Sequence, residues 1–270
     1  MVIIEDNMRK AVIVSLAALM VAVLPGCNKT RIGLAGYTDS TTIPAPNNYK
    51  GIEVGNGIET VILKDTDRIY VESDANVLPY VEVYESEGVL RIKYSDGISV
   101  PSRAHTYVEV PYRPDIGYLS GSGGATVSCR NTFFADNLSV NASGGSRIEF
   151  NTSRNVSTTI RLSGGSVAWG SGINTERLYI EASGGSVIYA SGSAAKCEMD
   201  LGGGSELFGN DSKDELYIEK CYGSLSGGSW AGFSSDGTIE CSLSGGSTID
   251  FTGTATDNSI CSGGSSVNRH

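Results

Sequence analysis

A glycine-rich tetrapeptide recurs along the second half of the chain and limits its possible folds more than any other feature. Ser-Gly-Gly-Ser, or a variant differing at one residue, begins at Ser122, Ser143, Ser163, Ser183, Gly202, Ser226, Ser244 and Ser262. Successive copies are 21, 20, 20, 19, 24, 18 and 18 residues apart. Such a period is typical of solenoids, in which each repeat forms one coil. The longest spacing contains the polar insertion Asp211-Ser212-Lys213-Asp214, which we expect to bulge from one corner.

The residues that flank the tetrapeptide alternate between apolar and polar, as in strands with one buried side. Two residues after the second serine of the repeats stand Ile148, Ala168, Ile188, Leu207, Ala231 and Ile249. Two residues further on stand Phe150, Gly170, Ala190, Gly209, Phe233 and Phe251. A flexible Gly/Ser linker, which is the alternative explanation of the repeat, would lack such apolar columns. The pattern predicts an all-β fold, a parallel β-helix or β-solenoid with coils of about 20 residues.

The composition of the tetrapeptide fits the corner of such a coil. Glycine adopts the positive φ values that a sharp corner requires and that other residues resist. Stacked coils would place serine above serine at the parallel-strand spacing of about 4.8 Å. We therefore expect the serine hydroxyls to satisfy backbone groups at the corners.

The first half of the chain shows the same alternation in shorter and less regular segments. Ile52-Glu53-Val54, Arg68-Ile69-Tyr70-Val71 and Tyr107-Val108-Glu109-Val110 are examples, separated by Gly, Asp and Asn turns. A hydrophobic content of 40% is enough to fill a core. We predict one body from residue 49 to residue 270, with irregular coils over 49–118 and regular repeats over 119–270.

The N-terminus carries the marks of an exported protein. Arg9 and Lys10 precede the apolar run from Ala11 to Leu24, which has the length of a signal-peptide core. The following Leu24-Pro25-Gly26-Cys27 resembles the lipobox of bacterial lipoproteins, with Cys27 as the lipidated residue. The alternatives are an ordinary signal peptide or a lone membrane helix.

These segments predict where the protein resides. We predict a lipoprotein signal peptide over residues 1–26 and a membrane anchor through Cys27. No acidic retention signal follows the cysteine, which favours an outer-membrane lipoprotein of the cell envelope, on either the periplasmic or the surface side. Residues 27–48 are polar and rich in turn residues, which predicts a flexible tether.

The charge of the chain argues against nucleic acid as a partner. The formal net charge is −10, the isoelectric point is near 4.7, and no basic stripe is visible. The two histidines, His105 and His270, stand beside no recognisable nucleophile motif, and no Cys-x-x-Cys is present. We therefore predict a non-enzymatic protein without a metal or another cofactor.

One enzymatic alternative stays open. Glu149, Glu181, Asp200 and Asp250 fall on outward positions of the predicted coils. Paired carboxylates cleave glycosidic bonds, so a polysaccharide lyase or hydrolase on a parallel β-helix is the second hypothesis. The alternative is that these carboxylates only form a solvated acidic surface.

An aromatic column gives the most specific functional hypothesis. Trp169, Tyr189 and Phe208 each follow the second serine of successive repeats by three residues, and we expect them to face outward on adjacent coils. A flat aromatic strip can bind a glycan or pack against a cell-envelope protein. The strip could also be covered by the insertion or by a neighbouring subunit, or it could only stabilise the sheet.

The remaining cysteines suggest a structural role. Cys197 and Cys221 precede their repeats at the same position and would stack within reach of a disulfide. The alternative, a small buried filler of the interior, suits Cys241 in particular.

Several segments together resemble a known family. These are Tyr49-Lys50-Gly51-Ile52-Glu53-Val54, Gly57-Ile58-Glu59-Thr60-Val61, Gly88-Val89-Leu90-Arg91-Ile92, and Tyr112-Arg113-Pro114-Asp115-Ile116 leading into Leu119-Ser120-Gly121-Ser122-Gly123. From Tyr49 to the C-terminus the chain is similar to the head GIN domains of auto-transporter adhesins. The resemblance implies a right-handed parallel β-helix and an adhesin-like role. It implies no catalytic residue and no ligand.

Overall fold

The computed structural model describes residues 29–209 and 215–270. The predicted signal peptide, Cys27 and the insertion Asp211-Ser212-Lys213-Asp214 lie outside the described residues. Within these two ranges, no helix has both the length and the apolar character needed to span a bilayer.

The first part of the described chain consists of nine short strands and one 3-10 helix, Leu78–Tyr80. The strands are β1 (Thr30–Arg31), β2 (Thr38–Pro44), β3 (Gly51–Val54), β4 (Glu59–Leu63), β5 (Arg68–Asp74), β6 (Val81–Ser86), β7 (Val89–Tyr94), β8 (Ile98–Ser99) and β9 (Thr106–Pro111).

The second part consists of strands that enter and leave the glycine-rich corners. They are β10 (Tyr118–Gly121), β11 (Thr126–Phe133), β12 (Asn137–Ala142), β13 (Arg147–Thr152), β14 (Asn155–Leu162), β15 (Val167–Ala182), β16 (Val187–Leu201), β17 (Glu206–Phe208), β18 (Leu216–Leu225), β19 (Trp230–Ser234), β20 (Thr238–Leu243), β21 (Thr248–Thr252), β22 (Thr256–Asp257), β23 (Ile260–Cys261) and β24 (Ser266–Arg269).

The strands of the second part pair in parallel with the equivalent strands of the next coil. Ile148 pairs with Ala168, Ala168 with Ile188, and Ile188 with Leu207, so each step spans about one repeat. All four side chains are fully buried, as are most of the other residues in the two predicted interior columns. The fold is a β-solenoid of about 7 turns, which confirms the predicted fold class.

Each corner shows why the tetrapeptide has its composition. Gly184 and Gly185 have φ values of 67° and 71°, in the left-handed region that favours glycine. The following Ser186 is fully buried, and its hydroxyl donates a hydrogen bond to the carbonyl oxygen of Ser183 over 2.7 Å. The equivalent serines of the other regular corners make the same contact: Ser146, Ser166, Ser205, Ser229 and Ser247. The predicted role of serine at the corners is thus observed within each regular corner. At the last corner it is observed between coils, since Ser262 Oγ donates to the Leu243 carbonyl oxygen over 3.2 Å and Ser265 Oγ accepts from the Ser247 backbone nitrogen over 3.0 Å.

The N-terminal segment differs from the prediction of a flexible tether over residues 27–48. Strand β2 pairs antiparallel with β5 along its whole length, from Thr38 opposite Asp74 to Pro44 opposite Arg68. The side chains of Ile32 and Ile43 are buried. The tether prediction is therefore wrong for residues 30–44, because the backbone of a mostly polar strand is satisfied by its neighbour.

The glycine-rich corners stack along the solenoid, and an outward surface lies on either side of this stack. We call the outward side of the strands that follow the corners the aromatic face, since it carries Trp169, Tyr189 and Phe208. We call the outward side of the strands that precede the corners the charged face, since it carries Arg161, Glu181 and Asp200. Side chains on both faces form straight columns because the parallel register repeats from coil to coil.

Candidate functional site

The predicted aromatic column forms a ladder on consecutive coils. Trp169 pairs in register with Tyr189, and Tyr189 pairs with Phe208. Trp169 and Tyr189 retain 36% and 40% of their surface exposed, and Phe208 is half-buried. The outward orientation expected from the sequence is therefore observed for all three residues.

The rings of the ladder stack on one another. Ring centroids are 5.7 Å apart between Trp169 and Tyr189, with planes 5° apart, and 5.1 Å apart between Tyr189 and Phe208, with planes 15° apart. Parallel rings this close must overlap in an offset stack, because coplanar rings would collide at their edges. Each face of the Tyr189 ring is thus partly overlapped by a neighbouring ring, and the ladder also offers ring edges to solvent.

Trp230 extends the ladder by one more coil. Its backbone pairs with Glu206 rather than with Phe208, and the position in register with Phe208 is Gly232. Since Gly232 has no side chain, the Trp230 indole leans into the vacant column, with its centroid 4.9 Å from that of Phe208. The sequence analysis missed this residue. A tryptophan two positions before a glycine that interrupts the column was the available signal.

Polar groups hold the far end of the ladder in place. Trp230 Nε1 donates a hydrogen bond to Asp250 Oδ2 over 2.7 Å, and Asn268 Nδ2 donates to Asp250 Oδ1 over 2.8 Å. Burial alone would raise the pKa of Asp250, but these hydrogen bonds and the contact with His270 outweigh it and lower that pKa. An ionised Asp250 therefore fixes the orientation of the terminal indole.

The near end of the ladder carries charged residues, and the neighbouring outward column on the same face carries smaller side chains. Glu149 pairs in register with Trp169, and Arg147 lies two residues before it on the same side of the strand. Both side chains are exposed, and neither forms an ion pair with any described residue. Val167 and Val187 are half-buried and lie beside Trp169 and Tyr189.

The four outward carboxylates do not come together in one site. Glu149 and Asp250 lie at opposite ends of the ladder on the aromatic face, whereas Glu181 and Asp200 pair in register on the charged face. Glu181 forms an ion pair with Arg161 over 3.2 Å, and Asp200 accepts a hydrogen bond from Ser224 over 2.8 Å.

The charged face has a shallow depression beside these two carboxylates. Its volume is about 570 Å³, and Arg161, Glu181, Glu198 and Asp200 are among its lining residues. The Glu181 side chain is 68% exposed and already paired. A general acid for glycoside cleavage is typically a carboxyl group in an apolar, enclosed pocket, whereas Glu181 lies on an open surface beside Arg161.

Each of the two histidines contacts one carboxylate. His105 Nε2 lies 3.1 Å from Glu59 Oε2, and His270 Nε2 lies 3.3 Å from Asp250 Oδ1. Among the described residues, no three His, Cys, Asp or Glu side chains are arranged to hold a metal ion.

The thiols of the solenoid interior are free and buried. Cys197 and Cys221 pair in register as expected from the sequence, yet they are not bonded to each other. Cys221 Sγ lies 3.7 Å from Cys241 Sγ. The neighbouring Cys197 thiol and burial hold the pKa of Cys221 well above its ordinary value, so the thiol stays neutral. These cysteines fill the interior.

Comparison with known protein families shows to which family the chain is related. Residues 48–255 match the family model described as "Putative auto-transporter adhesin, head GIN domain". The chain belongs to the head GIN domain family. The resemblance seen in the sequence segments is thereby confirmed, and the family carries an adhesin designation.

Solved structures share the fold of this head GIN domain at low sequence identity. A putative adhesin from Parabacteroides distasonis has a TM-score of 0.76 and 16% identity, covering 89% of this chain and 100% of its own. A putative adhesin from Parabacteroides merdae has a TM-score of 0.73 and 15% identity, covering 89% and 99%. A second protein from Parabacteroides distasonis, described as a putative lipid binding protein, has a TM-score of 0.76 and 15% identity, covering 89% and 100%. No curated protein matches the head GIN chain in sequence.

Proposed function

We propose that this protein is a non-enzymatic, adhesin-like component of the bacterial cell envelope that binds its partner through the aromatic face. The observation that carries the proposal is the ladder of Trp169, Tyr189, Phe208 and Trp230, in which the first two rings are exposed and the last two half-buried. Contiguous exposed apolar surface of this kind marks interaction sites on soluble proteins. The family description supports the adhesin-like role.

The geometry of the rings favours a protein surface over a sugar as the partner. A sugar ring stacks on the open face of an aromatic ring, but Tyr189 and Phe208 have neighbouring rings on both sides. Edges of stacked rings, with Val167 and Val187 beside them, form a flat apolar strip instead. Such a strip packs well against a second flat apolar surface, because the two can exclude water along their whole length.

The same proposal includes a lipid anchor at Cys27 in the outer membrane. Cells that express the full chain should incorporate labelled palmitate into the protein, and the Cys27→Ser variant should not. The anchored protein should fractionate with the outer membrane. Label in the Cys27→Ser variant, or wild-type protein found only in the soluble fraction, would contradict the anchor.

Binding by the aromatic face can be tested on cells that carry the full chain. Retention would be measured on surfaces coated with protein-bearing outer-membrane vesicles and on a panel of polysaccharides. We expect Trp169→Ala/Tyr189→Ala to lower retention on vesicles at least about fivefold, as removal of aromatic anchors does at interfaces. Tyr179→Ala is the matched control, since Tyr179 is 36% exposed on the charged face.

The outcomes separate the parts of the proposal. Retention only on polysaccharides, lost in the double variant, would keep the aromatic face and replace the protein partner by a glycan. Equal retention of wild type and double variant would contradict the aromatic face as the binding surface. A glycan cleaved during the assay would favour the enzymatic alternative.

A further inference from the structure

The aromatic face has two outward columns whose side chains complement each other in size and charge. Val167 stands beside Trp169, and Val187 stands beside Tyr189, so a smaller apolar residue accompanies each of these two rings. In one coil Trp230 stands in the column of Val167 and Gly232 in the column of Trp169, and the Trp230 indole leans over Gly232 toward Phe208. At the near end, Arg147 occupies the column of Val167 and Glu149 the column of Trp169.

We infer that the partner of the aromatic face is a second copy of this chain, packed face to face about a two-fold axis parallel to the solenoid axis. The inference rests on the proposed use of this face for binding and names the partner. In this arrangement each coil lies opposite the same coil of the other copy. The column of Val167 and Val187 in one copy faces the column of Trp169 and Tyr189 in the other.

Exchange of the columns places the rings of two coils opposite valines. Trp169 of one copy packs on Val167 of the other, and Tyr189 packs on Val187. Flat parallel sheets with straight columns can interdigitate in this way, as dry interfaces between stacked sheets do.

The charges at the near end are also satisfied by this symmetry. Arg147 of each copy meets Glu149 of the other, which gives two equivalent ion pairs at one end of the interface. Within one copy these two charges form no ion pair with any residue in 29–209 or 215–270. Phe208 meets Glu206, and the carboxylate there faces the positive edge of the ring.

The other two-fold arrangement of this face is less favourable. An axis along the strands would leave each column opposite itself, with bulky rings against bulky rings. Centred on the ladder, it would also place Glu149 opposite Asp250, and like charges across an interface cost several kcal/mol.

The size of the face is sufficient for a dimer of modest affinity. Eight strands spaced by about 4.8 Å and about five residues wide give roughly 600 Å² on each copy. A total near 1,200 Å² is at the lower limit of specific interfaces.

The test uses the full chain carrying either of two tags, co-expressed and extracted in mild detergent. Two wild-type copies should co-purify. Two Arg147→Glu copies should lose co-purification at least about fivefold, as should two Glu149→Arg copies, because each pair sets like charges opposite each other. A copy with Arg147→Glu mixed with a copy with Glu149→Arg should co-purify again, since both ion pairs reform in the mixed dimer.

Controls and contrary outcomes are defined by the same experiment. Arg177→Glu lies outside the aromatic face, is also exposed, and should leave co-purification unchanged. Failure of the mixed pair to recover, or a wild type that is always a single copy, would overturn the inference. If the single-copy protein still showed retention dependent on Trp169 and Tyr189, the proposed function would stand without the second copy. Thermal melts of each variant would show that the chains remain folded.

Discussion

At the scale of single residues, the two glycines of a corner are needed for different reasons. Both Gly184 and Gly185 have positive φ values, but a Cβ on Gly184 would stand 3.2 Å from the backbone nitrogen of Gly164 in the preceding coil. A Cβ on Gly185 would meet nothing within 4 Å. Backbone conformation requires glycine at both positions, and the close approach of neighbouring coils requires it only at the first.

This difference gives a matched pair of substitutions. We expect Gly185→Ala to lower the free energy of unfolding by about 1–2 kcal/mol, the cost of a left-handed conformation for a residue with a Cβ. Gly184→Ala should cost more, because the adjacent coil must also move. Urea unfolding followed by circular dichroism would measure both changes. Equal losses would show that the coils do not approach as closely as 3.2 Å implies.

At the scale of elements, one carboxylate ties the N-terminal segment to the solenoid. Asp74 ends β5 and accepts hydrogen bonds from the backbone nitrogens of Ala35 over 2.9 Å and of Gly36 over 3.0 Å. Asn76 adds a side-chain hydrogen bond to the Gly33 carbonyl oxygen over 3.1 Å. These contacts lie just before β2 and set the point at which that strand starts to pair with β5.

The backbone hydrogen bonds from Ala35, Gly36 and Asn76 lower the pKa of Asp74. The attachment of β2 therefore depends on pH. A lowered pKa in the folded state means that the stabilisation is present above the unfolded value of 3.8 and is lost as pH falls through the folded pKa. We expect Asp74→Ala to speed hydrogen exchange in residues 38–44 at neutral pH, and acid to do the same in the wild type. Asp65→Ala, at an exposed position, is the control. Unchanged exchange in Asp74→Ala would contradict this role.

At the scale of the whole molecule, the solenoid is a row of coils that each contact their neighbours. Stability in such a row is close to a sum of terms for each coil and for each pair of adjacent coils. Ile188 and Ile249 occupy the same interior column and are both fully buried, but Ile188 lies in the middle of the row and Ile249 close to the last described coils.

We therefore expect the same substitution to act over different distances. Ile188→Ala and Ile249→Ala should each cost about 2–5 kcal/mol, because each leaves a cavity of similar size. Hydrogen exchange should increase on both sides of residue 188 in the first variant, and only toward the C-terminus in the second. Uniform acceleration over the whole chain in both variants would show that the solenoid unfolds as one cooperative unit.

Some features of the fold and the site followed from the sequence because they depend on local pattern. The coil length, the interior columns and the corners are visible in the spacing of the tetrapeptide and in the alternation of apolar residues around it. The outward position of Trp169, Tyr189 and Phe208 follows from the same alternation, since successive side chains of a strand point to opposite sides. The sequence segments also indicated the head GIN family, which the family match confirms.

Other features required the tertiary structure because they depend on partners distant in the chain. Strand β2 looked like a tether, since its own residues are polar, and only pairing with β5 makes it a strand. Trp230 joins the ladder because the adjacent column has a gap at Gly232, and the tilt of its indole into that gap depends on packing against Phe208. Local alternation determined which side chains point outward. The register between coils decided how the rings stack, and so which surface they leave for a partner.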